Sequence, residues 1–350
     1  MSKIEWTEKT WNPIVGCSIV SPGCTNCYAM RQAARIEKMN PDLAHYRGLT
    51  HPSKAGPVWT GKVALSERAL LEPLRRRKPT TYFVNSMGDL FHKDTPDEWI
   101  DRVFAVMALS PQHTFQILTK RSGRMREYCS NSRRGYQIAR HVVDFAIAKT
   151  VRIDERWPVV SEGDIDMPDD IRLRKWPLPN VWLGVSAEDQ RRADERVPDL
   201  LATPAAVRFV SAEPLLGPID FRAIGGRDGD GFNAFDDGAD DGVRAEAVLD
   251  WIIVGGESGP SARPMLVAWA RSIRDQCKSA GVPFFFKQFG EFAPDDNSPG
   301  AHTAMKRIGK HHAGRLLDGR THDDMPDRLP CNAKKPRRPE PAGQVHREGA

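Results

Sequence analysis

Six short apolar runs recur along the chain, each closing on polar or glycine residues before a stretch of helical pattern begins. They are residues 81–86 (TYFVNS), 114–119 (TFQILT), 181–186 (VWLGVS), 207–211 (VRFVS), 251–255 (WIIVG) and 283–287 (PFFFK). Runs that are apolar throughout, rather than alternating, fit strands buried on both faces, as in a parallel sheet covered by helices. Their alternation with helices predicts an α/β fold assembled from βα units. At 350 residues the chain is long enough to bury a substantial core. A composition of 40% hydrophobic and 28% charged residues, with 28 Gly and 27 Pro, describes a globular protein rich in loops.

Helix signals support the rhythm. After the first of these strands, Thr95 reads as an N-cap with Pro96 at the first helical position and Asp97 and Glu98 in the first turn, while Trp99, Val103 and Val106 share a face. A second helix is predicted over 267–280, with Trp269, Ile273 and Cys277 on one stripe and Gly281 as its stop, which makes Cys277 a core residue. Two segments interrupt the pattern: 122–179, with a helix expected over 136–149, and 221–250, acidic and glycine-rich and expected to bury too little apolar surface to order itself. Asp228, Asp230 and Asn233 in the second lack the terminal Glu of a calcium loop. Residues 327–350 read as a disordered basic tail, so the expected organisation is one barrel-like domain over 1–326 that carries both insertions. No run approaches the ~18 consecutive apolar residues of a membrane span, and the N-terminus lacks a signal peptide's apolar core, so a cytoplasmic protein with no membrane partner is expected.

Six cysteines without a signal peptide argue against a disulfide framework, and for metal where they cluster. Cys17, Cys24 and Cys27 stand in GCSIVSPGCTNCYAM, a loop that also holds Gly16, Pro22 and Gly23. Soft thiolates suit zinc or iron–sulfur better than hard cations. A structural zinc site closes with four ligands and a simple cubane with four thiolates, so three cysteines leave one position open. Two alternatives stand beside this: buried cysteines with no metal role, and a zinc ion completed by a distant His92 or His45. Cys129, Cys277 and Cys331 are not expected to be ligands.

In a β/α barrel the reacting groups sit at the C-terminal ends of the strands. Here those ends read Asn85-Ser86-Met87-Gly88-Asp89, Thr119-Lys120-Arg121, Ser186-Ala187-Glu188-Asp189, Ser211-Ala212-Glu213-Pro214, Gly255-Gly256-Glu257-Ser258 and Lys287-Gln288. Gathered on one rim, they predict a polar cavity. Gly255 and Gly256 permit close backbone approach to a ligand, although a glycine-rich turn is also an ordinary βα connection. For Arg121 and Lys287 the alternative reading is solvated strand-end charge. Neither GxGxxG nor GxxxxGK[ST] occurs, so no motif supports a dinucleotide fold or a P-loop NTPase. The net charge of +5 favours an anionic partner only weakly, because part of the excess lies in the tail and the sequence marks no basic face.

With its three-cysteine loop and its run of βα units, the sequence resembles the radical S-adenosylmethionine (radical SAM) superfamily. Those enzymes bind a [4Fe-4S] cluster through three cysteines in the loop after the first strand of a full or partial TIM-like β/α barrel. The usual spacing is CxxxCxxC; here it is CxxxxxxCxxC, with Asn26 where an aromatic residue commonly precedes the last cysteine and Tyr28 just after it. The resemblance implies an enzyme that draws on an external one-electron donor to cleave S-adenosylmethionine reductively. A 5′-deoxyadenosyl radical then acts on an unknown substrate, a nucleotide or nucleic acid being one class. By position it implies that Ser86, Met87, Gly88 and Asp89 contact the methionine ammonium. The charges of the cofactor make Asp89, Glu188 and Glu213 candidates for the ammonium or ribose hydroxyls, and Lys120 or Arg121 for the carboxylate. Ser186, Ser211, Gly255, Gly256, Glu257, Ser258 and Lys287 complete the expected cofactor lining. More closely, WNPIVGCSIVSPGCTNCYA, YFVNSMGDLFH, ILTKR, VWLGVSAED, RFVSAEPLLGPI, WIIVGGESGP and FFFKQFGE resemble a bacteriophage- and prophage-associated family without established function. The rival reading is a non-catalytic zinc-containing nucleic-acid-binding or phage DNA-processing accessory protein. In it Trp6, Trp11, Trp59, Trp99, Trp157, Trp176, Trp182, Trp251 and Trp269 are available to stack bases.

Overall fold

The computed structural model describes residues 4–148, 157–161, 171–225, 231–236, 247–295 and 304–327. One parallel sheet organises them. Its strands are β1 (Lys9–Trp11), β2 (Thr81–Val84), β3 (Thr114–Thr119), β4 (Val181–Ser186), β5 (Val207–Ala212), β6 (Trp251–Gly255) and β7 (Phe284–Gln288). Spatial order follows sequence order, every neighbouring pair is parallel, and β1 and β7 are not paired with each other. This is a half-barrel of mixed α/β architecture, in keeping with the expected partial β/α barrel. All six predicted strands are present. The first strand carried no pattern because three residues are too few to show one.

Side chains alternate across a strand, which splits the apolar residues into two cores. Val181, Leu183, Val210, Ile252, Val254, Phe284 and Phe286 face the helices. Trp182, Val207, Phe209, Trp251, Ile253 and Phe285 face inward and meet Trp6 from the N-terminal segment. The inner rings touch edge to face or tilted, with Trp6–Phe83 centroids at 4.8 Å and Trp182–Trp251 at 6.0 Å. Gly184 has no Cβ because the Phe209 ring lies across it, 2.5 Å from where one would stand. An aromatic floor therefore fills the barrel up to the level at which the strands turn polar.

The principal helices are α1 (Tyr28–Met39), α2 (Asp97–Ala108), α3 (Ser122–Ser130), α4 (Arg134–Ile147), α5 (Gln190–Leu201) and α6 (Val267–Ala280). Helix α2 begins one residue later than its capping signal suggested: Pro96 takes the N-cap position and the buried Thr95 hydroxyl has no partner among the described residues. Helix α6 has its predicted bounds, stops at Gly281 with φ of 63°, and buries Cys277. The helix expected over 136–149 is α4, which starts and ends two residues earlier and is docked by a buried charge. Arg134 bonds Asp101 and Asp97 at 2.9 Å each, its guanidinium lies 3.8 Å over the Tyr128 ring, and the Tyr128 hydroxyl donates to Asp101.

The second insertion corrects an expectation. Phe221, Ile224, Ala234, Phe235 and Leu249 are buried in the main core, so the described part of this segment does bury apolar surface. The acidic stretches 226–230 and 237–246, with Asp228 and Asp230, lie outside the described residues, as do Cys331 and the tail from 328. Among the described residues no helix is long and apolar enough to cross a membrane.

Candidate functional site

Leaving β1, the chain passes Gly16 (φ of 95°), whose amide donates to the Met87 carbonyl at 3.0 Å. A Cβ on Gly16 would stand 2.1 Å from the Lys62 carbonyl, and one on Gly88 2.9 Å from the Gly16 carbonyl, so glycine at both positions lets the loop lie against the end of β2. The loop then crosses the C-terminal mouth of the half-barrel and enters α1 directly after Cys27. Cys17, Cys24 and Cys27 line one cavity of about 440 Å³. All six predicted strand ends reach it: Ser86, Gly88 and Asp89; Lys120 and Arg121; Ser186; Ser211 and Glu213; Gly256, Glu257 and Ser258; Lys287 and Gln288. Met87, Glu188 and Gly255 do not line it. Met87 packs into the small core under α1.

Three of the carboxylates expected to meet the cofactor hold the cysteine loop instead. Asp89 accepts from the Thr119 hydroxyl (2.7 Å), the Phe91 amide (3.0 Å), the Lys120 amide (3.2 Å) and Arg121 (2.7 Å). Arg121 in turn reaches the Cys17 thiol at 3.6 Å and the Ser18 carbonyl and hydroxyl at 3.1 and 2.9 Å. The pair therefore clamps the loop to β2 and β3, and neither side chain is left for an ammonium or a carboxylate. Glu188, fully buried, accepts from the Gly23 amide (3.1 Å) and from Arg196 (2.9 Å). Burial opposes its ionisation, but Arg196, the Ser21 hydroxyl and the Gly23 amide outweigh that and hold its carboxyl below the usual range. Glu257 accepts from Asn26 at 3.0 Å and twice from Arg263, whose guanidinium also reaches the Pro22 carbonyl at 2.9 Å. Burial is again overcome, and its carboxyl also lies below the usual range.

Backbone at the end of β2 is likewise committed. Asn12 accepts from the Ser86 hydroxyl (3.1 Å) and the Met87 amide (3.0 Å), and the Tyr28 hydroxyl donates to the Ser86 carbonyl at 2.8 Å. Asn85 takes a left-handed φ of 58° and accepts from the Ile14 amide. Gly256 leaves no room for a side chain, since a Cβ there would stand 1.9 Å from the Phe289 carbonyl; Gly255 lies under the Glu213 side chain. The strand-end groups that remain facing the cavity are Lys120, Ser186, Ser211, Ser258 with its partner Gln288, and the Glu213–Lys287 ion pair. Among the described residues the Lys120 ammonium has no hydrogen-bond or ion-pair partner, yet it lies close enough to Cys27 and Glu188 to act on both electrostatically. Asn12, Asn26, Tyr28, Arg196 and Arg263 were not singled out as site residues, because their roles depend on partners far away in sequence.

The thiols sense one another. Burial, then Asp89, pushes the Cys17 thiol up to about 12 against the opposing pull of Arg121, and Cys24 and Cys27 add to the rise. Burial also raises Cys27. Among the described residues no group of three or more His, Cys, Asp and Glu side chains is arranged to hold a metal ion. His92, a suggested fourth zinc ligand, has both ring nitrogens engaged. The Asp94 amide donates to Nδ1 at 3.2 Å, which leaves the proton on Nε2, 2.9 Å from the Ser18 hydroxyl. His45 packs on Tyr46 and does not line the cavity. Cys129 and Cys277 are buried elsewhere in the main core. Trp6, Trp11, Trp59, Trp182 and Trp251 are buried, and Trp99, Trp157, Trp176 and Trp269 half-buried, so no tryptophan is an exposed stacking platform.

Over residues 1–326 the chain matches the model of a family described as a protein of unknown function, DUF5131. It belongs to that family. No curated protein and no solved structure matches this DUF5131 chain. The matched span takes in the cysteine loop and every strand end of the DUF5131 half-barrel described above.

Proposed function

We propose that this DUF5131 protein is a radical SAM-type enzyme that binds a [4Fe-4S] cluster through Cys17, Cys24 and Cys27 and cleaves S-adenosylmethionine reductively. The observation that carries the reading is that three thiols and all six polar strand ends border a single cavity, above an aromatic floor. The donor set suits such a cluster: three soft sulfurs border the cavity, and Cys17 and Cys27, whose free thiolates burial disfavours, gain most from a cationic iron centre. Cys17, Cys24 and Cys27 would hold the cluster, whose chemistry would be one-electron reduction of the sulfonium to give methionine and a 5′-deoxyadenosyl radical able to take a hydrogen atom from the substrate.

The protein's own contribution is placement. Asp89, Arg121, Glu188 and Glu257 fix the cysteine loop at four strand ends, so the loop is held before any cofactor arrives. Lys120 presents a free ammonium to a carboxylate, and Glu213 with Lys287 presents a charged pair to hydroxyl and amino groups. The aromatic floor excludes water from below. Lys120→Ala is expected to leave iron content unchanged and to weaken S-adenosylmethionine binding roughly tenfold to a hundredfold, the cost of about 1.5–3 kcal/mol for one charge-assisted contact. Equilibrium dialysis of labelled S-adenosylmethionine against the anaerobically loaded protein measures this. An unchanged affinity removes Lys120 from the cofactor site.

A further inference from the structure

The chain carries a net charge of +5, but the excess is not evenly spread. Residues 28–62 contain six basic residues (Arg31, Arg35, Lys38, Arg47, Lys54 and Lys62) against Glu37 and Asp42, a net charge of +4. All six are exposed, and among the described residues none has an ion-pair partner. Among the described residues exposed cations elsewhere are paired in some places, as in Arg191–Glu195 and Arg222–Asp220, and unpaired in others, as in Arg75, Arg77 and Lys78; what sets this segment apart is its place beside the cavity, which Tyr28 lines. The segment is one packed unit: α1 lies on the hairpin of strands Thr50–Ser53 and Gly56–Trp59 through Ala29, Met30, Ala33 and Trp59.

Arg31, Arg35 and Lys38 follow at i, i+4 and i+7 and so share the face of α1 opposite that packed stripe. The face begins at the cavity. Tyr28, one turn ahead, lines the cavity, donates its hydroxyl to the Ser86 carbonyl, and is 52% exposed. Arg31 sits at the rim against the loop after β6, its guanidinium 2.6 Å from where a Gly259 Cβ would stand. From Arg31 to Lys38 the row runs roughly 10 Å outward, enough for about two or three successive phosphates.

We infer that this face of α1 binds the phosphates of a single-stranded nucleic acid, with Tyr28 stacking a base at the mouth and one nucleoside entering the cavity. The inference deepens the proposed function and rests on it only in taking the cavity as the place where the substrate is changed. A polyanionic chain satisfies both parts of the geometry, since its repeating charges lie on the row while one unit enters the cavity. An acidic protein surface would cover the row and leave the cavity unused. A base in a duplex reaches a recessed site only by flipping out, at an unstacking and unpairing cost that a single strand largely avoids, which favours the single strand. Exposed tyrosine beside arginine is the combination that holds unpaired bases.

The test uses the full chain and a labelled mixed-sequence single-stranded oligodeoxynucleotide, titrated over a salt series. The triple variant Arg31→Gln, Arg35→Gln, Lys38→Gln is expected to weaken binding at least about tenfold near 0.1 M salt and to flatten the slope of log K against log salt by about 2, at about 0.7 per lost phosphate contact. The equal charge change Arg191→Gln, Arg222→Gln, Lys278→Gln, on exposed positions away from the row, is expected to change binding less than about twofold. Equal losses in the two triple variants overturn the inference, as does binding of polyglutamate as tightly as the oligonucleotide, which would mark the row as a site for an acidic protein. Iron content, measured on the same preparations, separates this from the cofactor reading. Iron-loaded protein that ignores the oligonucleotide sinks only the nucleic-acid inference, and iron-free protein that binds it sinks only the cluster.

Discussion

Asp89→Ala is expected to destabilise the protein by about 3–5 kcal/mol, the usual consequence of removing one partner of a buried ion pair. The Asp89 and Arg121 side chains are only 7% and 11% exposed, so the remaining guanidinium would have neither a counter-ion nor free access to water. The Thr119 hydroxyl and the Phe91 and Lys120 amides would lose their acceptor as well. Because Arg121 is the link to Cys17 and Ser18, iron loading should fall together with stability. Urea unfolding of the variant, with iron determined on the same sample, measures both. A carboxylate that served only the cofactor would leave the unfolding midpoint in place, and a change below about 1 kcal/mol would show that the clamp does not hold the loop.

Cys24→Ala is expected to abolish stable iron binding after anaerobic reconstitution, whereas Cys129→Ala and Cys277→Ala should load iron as the parent does. The first residue borders the cavity with two other thiols; the other two are packed in the main core, where the loss is one of packing alone. Full iron content in the Cys24→Ala protein would contradict the assignment of the three-cysteine loop.

Much of the fold was legible because burial on both faces leaves a nearly unbroken mark: TYFV, VWLGVS and WIIVG are apolar but for Thr81 and Ser186 at their ends, and each is a strand. Lys9–Trp11 left no such mark, since its partner β2 and the packing of Trp11 define it rather than its own pattern. The site was legible as a set of residues but not as a set of roles. Asp89, Glu188 and Glu257 belong where strand-end carboxylates are expected, yet Arg121, Arg196 and Arg263 neutralise them and turn them toward the loop. Only Arg121 was singled out at all. Which arginine faces which carboxylate is fixed by the packing of separate βα units, and no spacing encodes it. Similarly, the basic face of α1 is a property of helical geometry combined with missing acidic neighbours, and total charge conceals it.

The proposed function requires that the thiol-bordered cavity hold a redox cluster that cleaves S-adenosylmethionine. The direct measurement is chromatographic quantification of 5′-deoxyadenosine after anaerobically reconstituted protein is mixed with S-adenosylmethionine and a strong one-electron reductant. The parent protein should be brown, hold about four iron atoms per chain, and release 5′-deoxyadenosine and methionine in equal amounts without any added substrate; Cys17→Ala should release neither. A fully loaded, reduced protein that never forms 5′-deoxyadenosine would contradict the account.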